Sequence, residues 1–182
     1  MFETERLVLR PFVESDLDHL LRMWNQPEVR KGTSNDYLVP LSPTFKETLR
    51  GWVDKALLYV IITLKDSGEF VGNLTINMGS SKNRDGTLGI TLLQEHWGKG
   101  YGEETLRTIL DHCFKACALH RITLDVFAGN ERAVNLYRKL GFVEEGRRRE
   151  GVLIDGAWQD VIGMGVLDRE WAELYWVKPA SV

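Results

Sequence analysis

The chain is poor in the features that mark several functional classes. It has two cysteines, Cys113 and Cys117, among 182 residues. They stand one helical turn apart on an apolar stripe, and no histidine or further cysteine clusters with them. This pattern makes neither a metal site nor a disulfide framework. We read both as reduced core thiols, which implies a reducing, cytoplasmic setting. No apolar run approaches the ~20 residues of a membrane span. The start, Met1-Phe2-Glu3-Thr4-Glu5, lacks the basic-then-apolar order of a signal segment. No long block of one charge occurs, and the net charge of −3 argues against a nucleic-acid binder while suiting cationic substrates. The length suits one domain, 1–182, with a full core, as a monomer or homodimer.

What is present centres on Leu88 to Glu104. The stretch begins as a strand, breaks at Gly98, Gly100 and Gly102, and opens a helix. Leu106, Ile109, Leu110, Cys113, Phe114 and Cys117 then recur at the spacing of one buried helix face. Glycines between strand and helix let backbone approach a ligand. The helix start adds unpaired N–H groups and a positive dipole, a seat for an anion such as pyrophosphate. The spacing is neither a P-loop, since Glu103 follows Gly102, nor a dinucleotide fingerprint.

Around it, Arg6–Phe12 alternates as a first strand ended by Pro11, and Ser15 with Asp18 reads as a weak capping box for a helix carrying Leu17, Leu20, Leu21 and Trp24. Residues 28–43 are polar and read as irregular. Ser42-Pro43 opens a second helix with Phe45, Leu49, Trp52 and Ala56 as its stripe. Leu57–Leu64, Glu69–Met78 and Thr87–Leu93 form an antiparallel meander. In the second of these, Asn73, Thr75 and Asn77 hold the polar phase. Arg121–Phe127 follows the central helix as a strand, so this passage is a parallel crossover. A hairpin about Asp155-Gly156 and a short helix over Arg169–Trp176 finish the chain. The basic run Arg147-Arg148-Arg149 reads as a solvated strand edge.

A second motif runs from Ala128 to Phe142. Asn130 caps a helix, Ala133, Leu136, Tyr137 and Leu140 face inward, and Gly141 is a left-handed stop. Structure alone accounts for each of these residues. Together, however, Trp97-Gly98-Lys99-Gly100-Tyr101-Gly102 and Asn130-x-x-Ala133-x-x-Leu136-Tyr137-x-Lys139-x-Gly141-Phe142 resemble the acetyl-CoA motifs of the GNAT superfamily of N-acetyltransferases. The resemblance is to the branch that acetylates ribosomal-protein N-termini and polyamines. Trp97 replaces the family's usual Gln or Arg.

The resemblance implies an α+β GNAT fold, with a central, mixed, mostly antiparallel splayed sheet of six to seven strands and about four helices. It implies acetyl-CoA as cosubstrate and a primary amine as acceptor, with no nucleic acid, membrane or metal involved. Carried over, Ile90, Thr91 and Leu92 offer backbone groups to the pantetheine arm, and Trp97, Gly98, Lys99, Gly100, Tyr101, Gly102 and Glu103 surround the pyrophosphate, with Glu103 and Glu104 turned outward. Asn130 contacts the cofactor arm, Tyr137 places its hydroxyl near the thioester sulfur, and Tyr37 and Trp52 are candidate acceptor contacts.

Acetyl transfer needs a neutral amine, a donor for the developing oxyanion and a proton for the leaving thiolate. The Leu92 N–H is the oxyanion candidate and Tyr137 the acid, since a phenol with pKa ~10 stays protonated at neutral pH. Asp125 is the candidate base, with Glu95, Asp85 and Asp160 behind it. A lysine-like amine near pKa ~10.4 costs ~4–5 kcal/mol to deprotonate at neutral pH, against ~1 for an α-amine. A site with no evident strong base therefore favours α-amines. The alternative reading is a non-catalytic acyl-CoA sensor, which has no use for a proton donor beside Asn130.

Overall fold

The computed structural model describes residues 1–176, so the end of the expected domain, 177–182, lies outside the described residues. One eight-stranded sheet organises the chain. Its strands are β1 (Phe2–Glu3), β2 (Leu7–Arg10), β3 (Leu58–Leu64), β4 (Phe70–Ser80), β5 (Asp85–Leu92), β6 (Arg121–Phe127), β7 (Val143–Ile154) and β8 (Ala157–Leu167), in the order β1-β2-β3-β4-β5-β6-β8-β7. Every neighbour pair is antiparallel except β5–β6, the expected crossover.

Helices cover both faces. On one lie α1 (Asp16–Trp24), α2 (Pro27–Thr33) and α3 (Phe45–Lys55). On the other lie α4 (Tyr101–Lys115), α5 (Glu131–Lys139) and α6 (Asp168–Tyr175). Alternation along the strands divides the apolar residues between them. Val60, Leu74, Leu88, Ile122, Leu124 and Val126 join Leu106, Ile109, Val134 and Tyr137, whereas Ile61, Phe70 and Leu93 join Leu17, Leu20, Val29 and Leu49. Cys113 is buried in the larger cluster and Cys117 packs against it; both are free thiols. Among the described residues, no helix is long and apolar enough to cross a membrane, and no group of three or more metal-ligating side chains occurs.

The expected mixed, splayed sheet is present, with eight strands among the described residues where six to seven were expected and six α-helices where about four were; β1 and α2 are the elements the residue pattern did not announce. β1 pairs through Phe2↔Leu9 and Glu3↔Val8. α2 replaces the irregular reading of 28–43, and its reason is tertiary. Pro27 starts it, Val29 is buried, and the buried Arg30 donates to the carbonyls of Tyr37 and Val39, which straps down the following loop. Seven residues containing a glycine and a threonine have little helical preference of their own.

Two expected helix starts are corrected. Ser15 sits in right-handed helical geometry and its side chain caps nothing; Asp18 pairs with Lys46 instead. The start of α1 is anchored by Asp16, which is buried. Asp16 accepts the Val13 N–H at 2.8 Å and takes both nitrogens of the Arg10 fork, at 2.8 and 2.7 Å. Burial pushes the Asp16 carboxyl up, but Arg10 and the Val13 amide together hold it below its ordinary value. α3 begins at Phe45 rather than Pro43.

Candidate active site

β5 and β6 run side by side only through Asp85↔Arg121, Gly86↔Ile122 and Thr87↔Thr123. Beyond Thr87 they part, while β5 stays paired to β4 as far as Gly72↔Leu92. The Leu93 N–H donates to the Val71 carbonyl at 2.9 Å. Alternation back from that bond turns the backbone groups of Thr91 and Gly89 towards β4, and those of Leu92, Ile90 and Leu88 towards the gap. Two further observations agree. The Thr91 carbonyl oxygen lies 2.1 Å from where a Cβ on Gly72 would stand, which is why position 72 carries no side chain. The Leu92 carbonyl accepts the Trp97 indole N–H at 2.9 Å from the other side. Of the three backbone positions expected at the gap, Ile90 and Leu92 present their edges to it. Thr91 gives its backbone to β4 and lines the cavity by its side chain, and Leu88 joins the open edge.

A cavity of about 1010 Å³ fills the split and is lined by residues from both faces of the sheet. On the α4 face its wall includes Gly98, Gly100, Tyr101, Gly102, Glu103, Leu136 and Tyr137. Gly98 and Gly100 have φ of +73° and +82°, the left-handed region that side chains avoid. Gly102 is small for a different reason, since a Cβ there would lie 3.2 Å from Leu136 of α5. The amides of Tyr101, Gly102 and Glu103 open α4 without a carbonyl one turn earlier, and they carry the dipole's positive end.

Arg6, just before β2, fixes this turn from behind. It donates to the Lys99 carbonyl at 2.9 Å, pairs with Glu104 at 2.7 Å and covers the Tyr101 ring at 4.9 Å. Glu104 thus turns outward, as expected. Glu103 stays at the wall, held by Lys139 of α5 at 2.6 Å. Lys99 is exposed and outside the cavity wall. The cation on this face of the wall is Arg132, whose guanidinium lies 3.9 Å over the Trp97 ring, and whose partial desolvation lowers its pKa.

Asn130 caps α5 by accepting the Ala133 N–H at 3.3 Å, and its amide nitrogen lies 3.1 Å from where a Cβ on Gly32 would be. Gly141 has the expected left-handed φ, +95°. Tyr137 is buried at the cavity edge, and burial pushes its phenol up to about 12.

The α1–α3 face has a different make-up. Its floor is the polar phase of the strands, Tyr59, Asn73, Thr75, Asn77, Thr87, Thr91 and Asp125. Asn73 is 6% exposed, and its side-chain oxygen has no partner among the described residues. Above stand Trp24, Glu28, Lys31, Trp52 and Lys55 from the three helices. Asp125 pairs with Arg148 of β7 at 3.1 Å, so one residue of the basic run reaches the site, while Arg147 pairs with Glu144 and Asp160 along the sheet edge. Of the four carboxylates considered from sequence, Asp125 alone lines the cavity; Glu95, Asp85 and Asp160 do not. Trp52 is brought in. Tyr37 is 90% exposed and outside the wall. Arg6, Arg132, Glu28 and Asn73 escaped sequence reading. The one advance signal was the polar phase of β4.

Residues 6–143 match the family model described as an acetyltransferase (GNAT) domain. The chain is 30% identical to the uncharacterized N-acetyltransferase p20 of Bacillus licheniformis over 93% of this chain and 97% of that protein. It superposes on the spermidine N-acetyltransferase of Vibrio cholerae, solved with CoA and spermine, at a TM-score of 0.81 and 28% identity, covering 91% and 97% of the two chains. A ribosomal-protein-S5-alanine acetyltransferase from Vibrio fischeri matches at a TM-score of 0.77 and 25% identity, covering 98% of each. The chain therefore belongs to the GNAT family of acetyltransferases, enzymes whose cosubstrate is acetyl-CoA.

Proposed function

We propose that the protein moves an acetyl group from acetyl-CoA to a primary amine by direct attack within a ternary complex, as one catalytic domain. The observation that carries this reading is the cavity running through the sheet, with an anion seat on one face and a separate polar floor on the other. Bound acetyl-CoA supplies an activated thioester. The residues at hand fit it. The open backbone edge of Leu88, Ile90 and Leu92 accommodates a chain of amides as an added strand. The turn from Gly98 to Glu103 takes pyrophosphate with amides rather than side chains, and Arg132 adds charge at the wall. Trp97 stands where the family uses Gln or Arg, and here it braces the turn through the Leu92 carbonyl.

The amine arrives from the α1–α3 face and attacks the thioester carbonyl carbon. The Leu92 N–H receives the developing oxyanion. As the carbon–sulfur bond breaks, Tyr137 gives its proton to the sulfur, and its raised pKa keeps that proton in place across the working range. Asp125 takes the proton the amine must lose, through water where the distance requires it. The setting is a reducing compartment that supplies acetyl-CoA, such as the cytoplasm.

The decisive experiment follows free thiol release from acetyl-CoA with a panel of amines. Amine-dependent release supports the transferase reading. Tight cofactor binding with no release above hydrolysis identifies the acyl-CoA sensor instead.

A further inference from the structure

We infer that the acceptor is a primary monoamine carrying an aromatic or apolar group, and that polyamines are poor substrates. The inference rests on the transferase reading above and concerns the acceptor half of the same cavity.

The first observation is charge. The strand floor and the helices of the α1–α3 face put two carboxylates, Glu28 and Asp125, and two ammonium groups, Lys31 and Lys55, on the cavity wall, and Glu131 at the start of α5 adds a carboxylate at its rim. Neither Glu28 nor Asp125 is free. Glu28 is paired with Lys31 at 3.0 Å, Lys31 also reaches Asp155 at 2.8 Å, and Asp125 is paired with Arg148 at 3.1 Å. A polyamine brings several ammonium groups. To seat them it would have to displace two protein cations while lying beside Lys55. A monoamine has one nitrogen, and that nitrogen must be neutral when it attacks.

The second observation is an unmet acceptor. Asn73 lines the floor opposite Thr91, next to the open edge of β5, and its oxygen, like the Thr75 hydroxyl two residues on, has no partner among the described residues. A buried carbonyl oxygen of this kind calls for one N–H donor. One amine satisfies it.

The third is the wall itself. Trp24 and Trp52 meet edge to face at 5.1 Å and both line the cavity, with Tyr59 and Trp97 nearby. Trp52 remains 39% exposed, an aromatic surface left open beside the floor. Such a wall rewards apolar area laid against it, and its attraction for an ammonium is the smaller effect where that ammonium keeps its water.

The test measures kcat/KM with phenylalanine amide, a short peptide opening with Phe, glycine amide and spermidine. Both phenyl probes, or the peptide alone, should exceed spermidine and glycine amide by about tenfold or more. Use of phenylalanine amide marks a small-molecule acceptor, whereas use of the peptide alone marks a polypeptide N-terminus; either supports the inference. Trp52→Ala should cut the preference for phenyl over glycine amide by about fivefold or more, and Trp52→Phe should retain it. Spermidine turnover equal to or above that of the phenyl probes overturns the inference and leaves the transferase standing. No thiol release with any amine, or no acetyl-CoA binding, overturns the transferase reading and this inference with it.

Discussion

The two halves of the cavity are built by opposite methods. The half proposed to take the cofactor offers backbone: an unpaired strand edge, a turn of left-handed glycines and a helix start, all within Leu88 to Glu103. The half proposed to take the acceptor offers side chains from α1, α2, α3, β3, β4, β5 and β6, brought together over more than a hundred residues of sequence. Backbone recognition is tolerant of the side chains around it and intolerant of a Cβ. Side-chain recognition has the reverse sensitivity, so substitutions should separate the two halves.

The largest effect expected is on the scaffold of the acceptor half. Asp16→Ala leaves Arg10 without its partner and frees the start of α1, at a cost of about 3 kcal/mol in denaturant unfolding. Acetyl-CoA affinity of the folded fraction should be unchanged. The same pair sets a pH dependence. Because the Asp16 carboxyl is held below its ordinary 3.8, its stabilisation is complete above that value and drains away as acid protonates it. In Asp16→Ala the acid-induced loss of stability should be correspondingly shallower.

Next comes Tyr137→Phe, which removes the proposed proton donor and should lower kcat by about 100-fold. Acetyl-CoA affinity, measured by titration, should stay within about twofold, because a ring of the same shape remains. Unchanged turnover would take Tyr137 out of the mechanism. In the wild type, turnover should hold its plateau at pH ~10, where an ordinary phenol is half ionised. A fall there would contradict a pKa pushed up to about 12.

Gly100→Val forces a β-branched side chain to φ near +82°, where a Cβ also stands 3.2 Å from the Arg6 guanidinium. The strain should weaken acetyl-CoA binding by about 10- to 30-fold. The preference among acceptor amines should not move. A changed preference would mean that the two halves are not independent.

The smallest effect expected is that of Arg6→Ala. This side chain touches the cofactor turn only from behind, through the Lys99 carbonyl and Glu104. Affinity for acetyl-CoA should fall by about threefold, the scale of one exposed charge-assisted contact. The variant's kcat at saturating cofactor should match the wild type.

The same contrast explains what could be read in advance. The glycine turn, the stripe of α4, the Asn130 cap and the Gly141 stop are local features, set by neighbours within one or two turns. All four stand where the residues put them. The acceptor half was legible only as an alternation in β4, whose polar phase had no stated purpose until the floor was assembled. α2 was missed because its helix depends on burial of Val29 and Arg30 against other segments. Tyr37 and Trp52 looked equivalent in sequence; one lies 90% exposed and the other on the cavity wall.

By itself, the order of residues determined the elements of the second half of the chain and the glycine turn proposed to seat an anion. It did so because helix stripes, caps and left-handed glycines are decided by short-range sterics and hydrogen bonding. The tertiary structure alone decided that β5 and β6 part after Thr87, that Asp125 is tied to Arg148, and that Asn73 is left with an oxygen unmet among the described residues. These depend on which strand stops pairing and which distant cation arrives, and no local pattern specifies either.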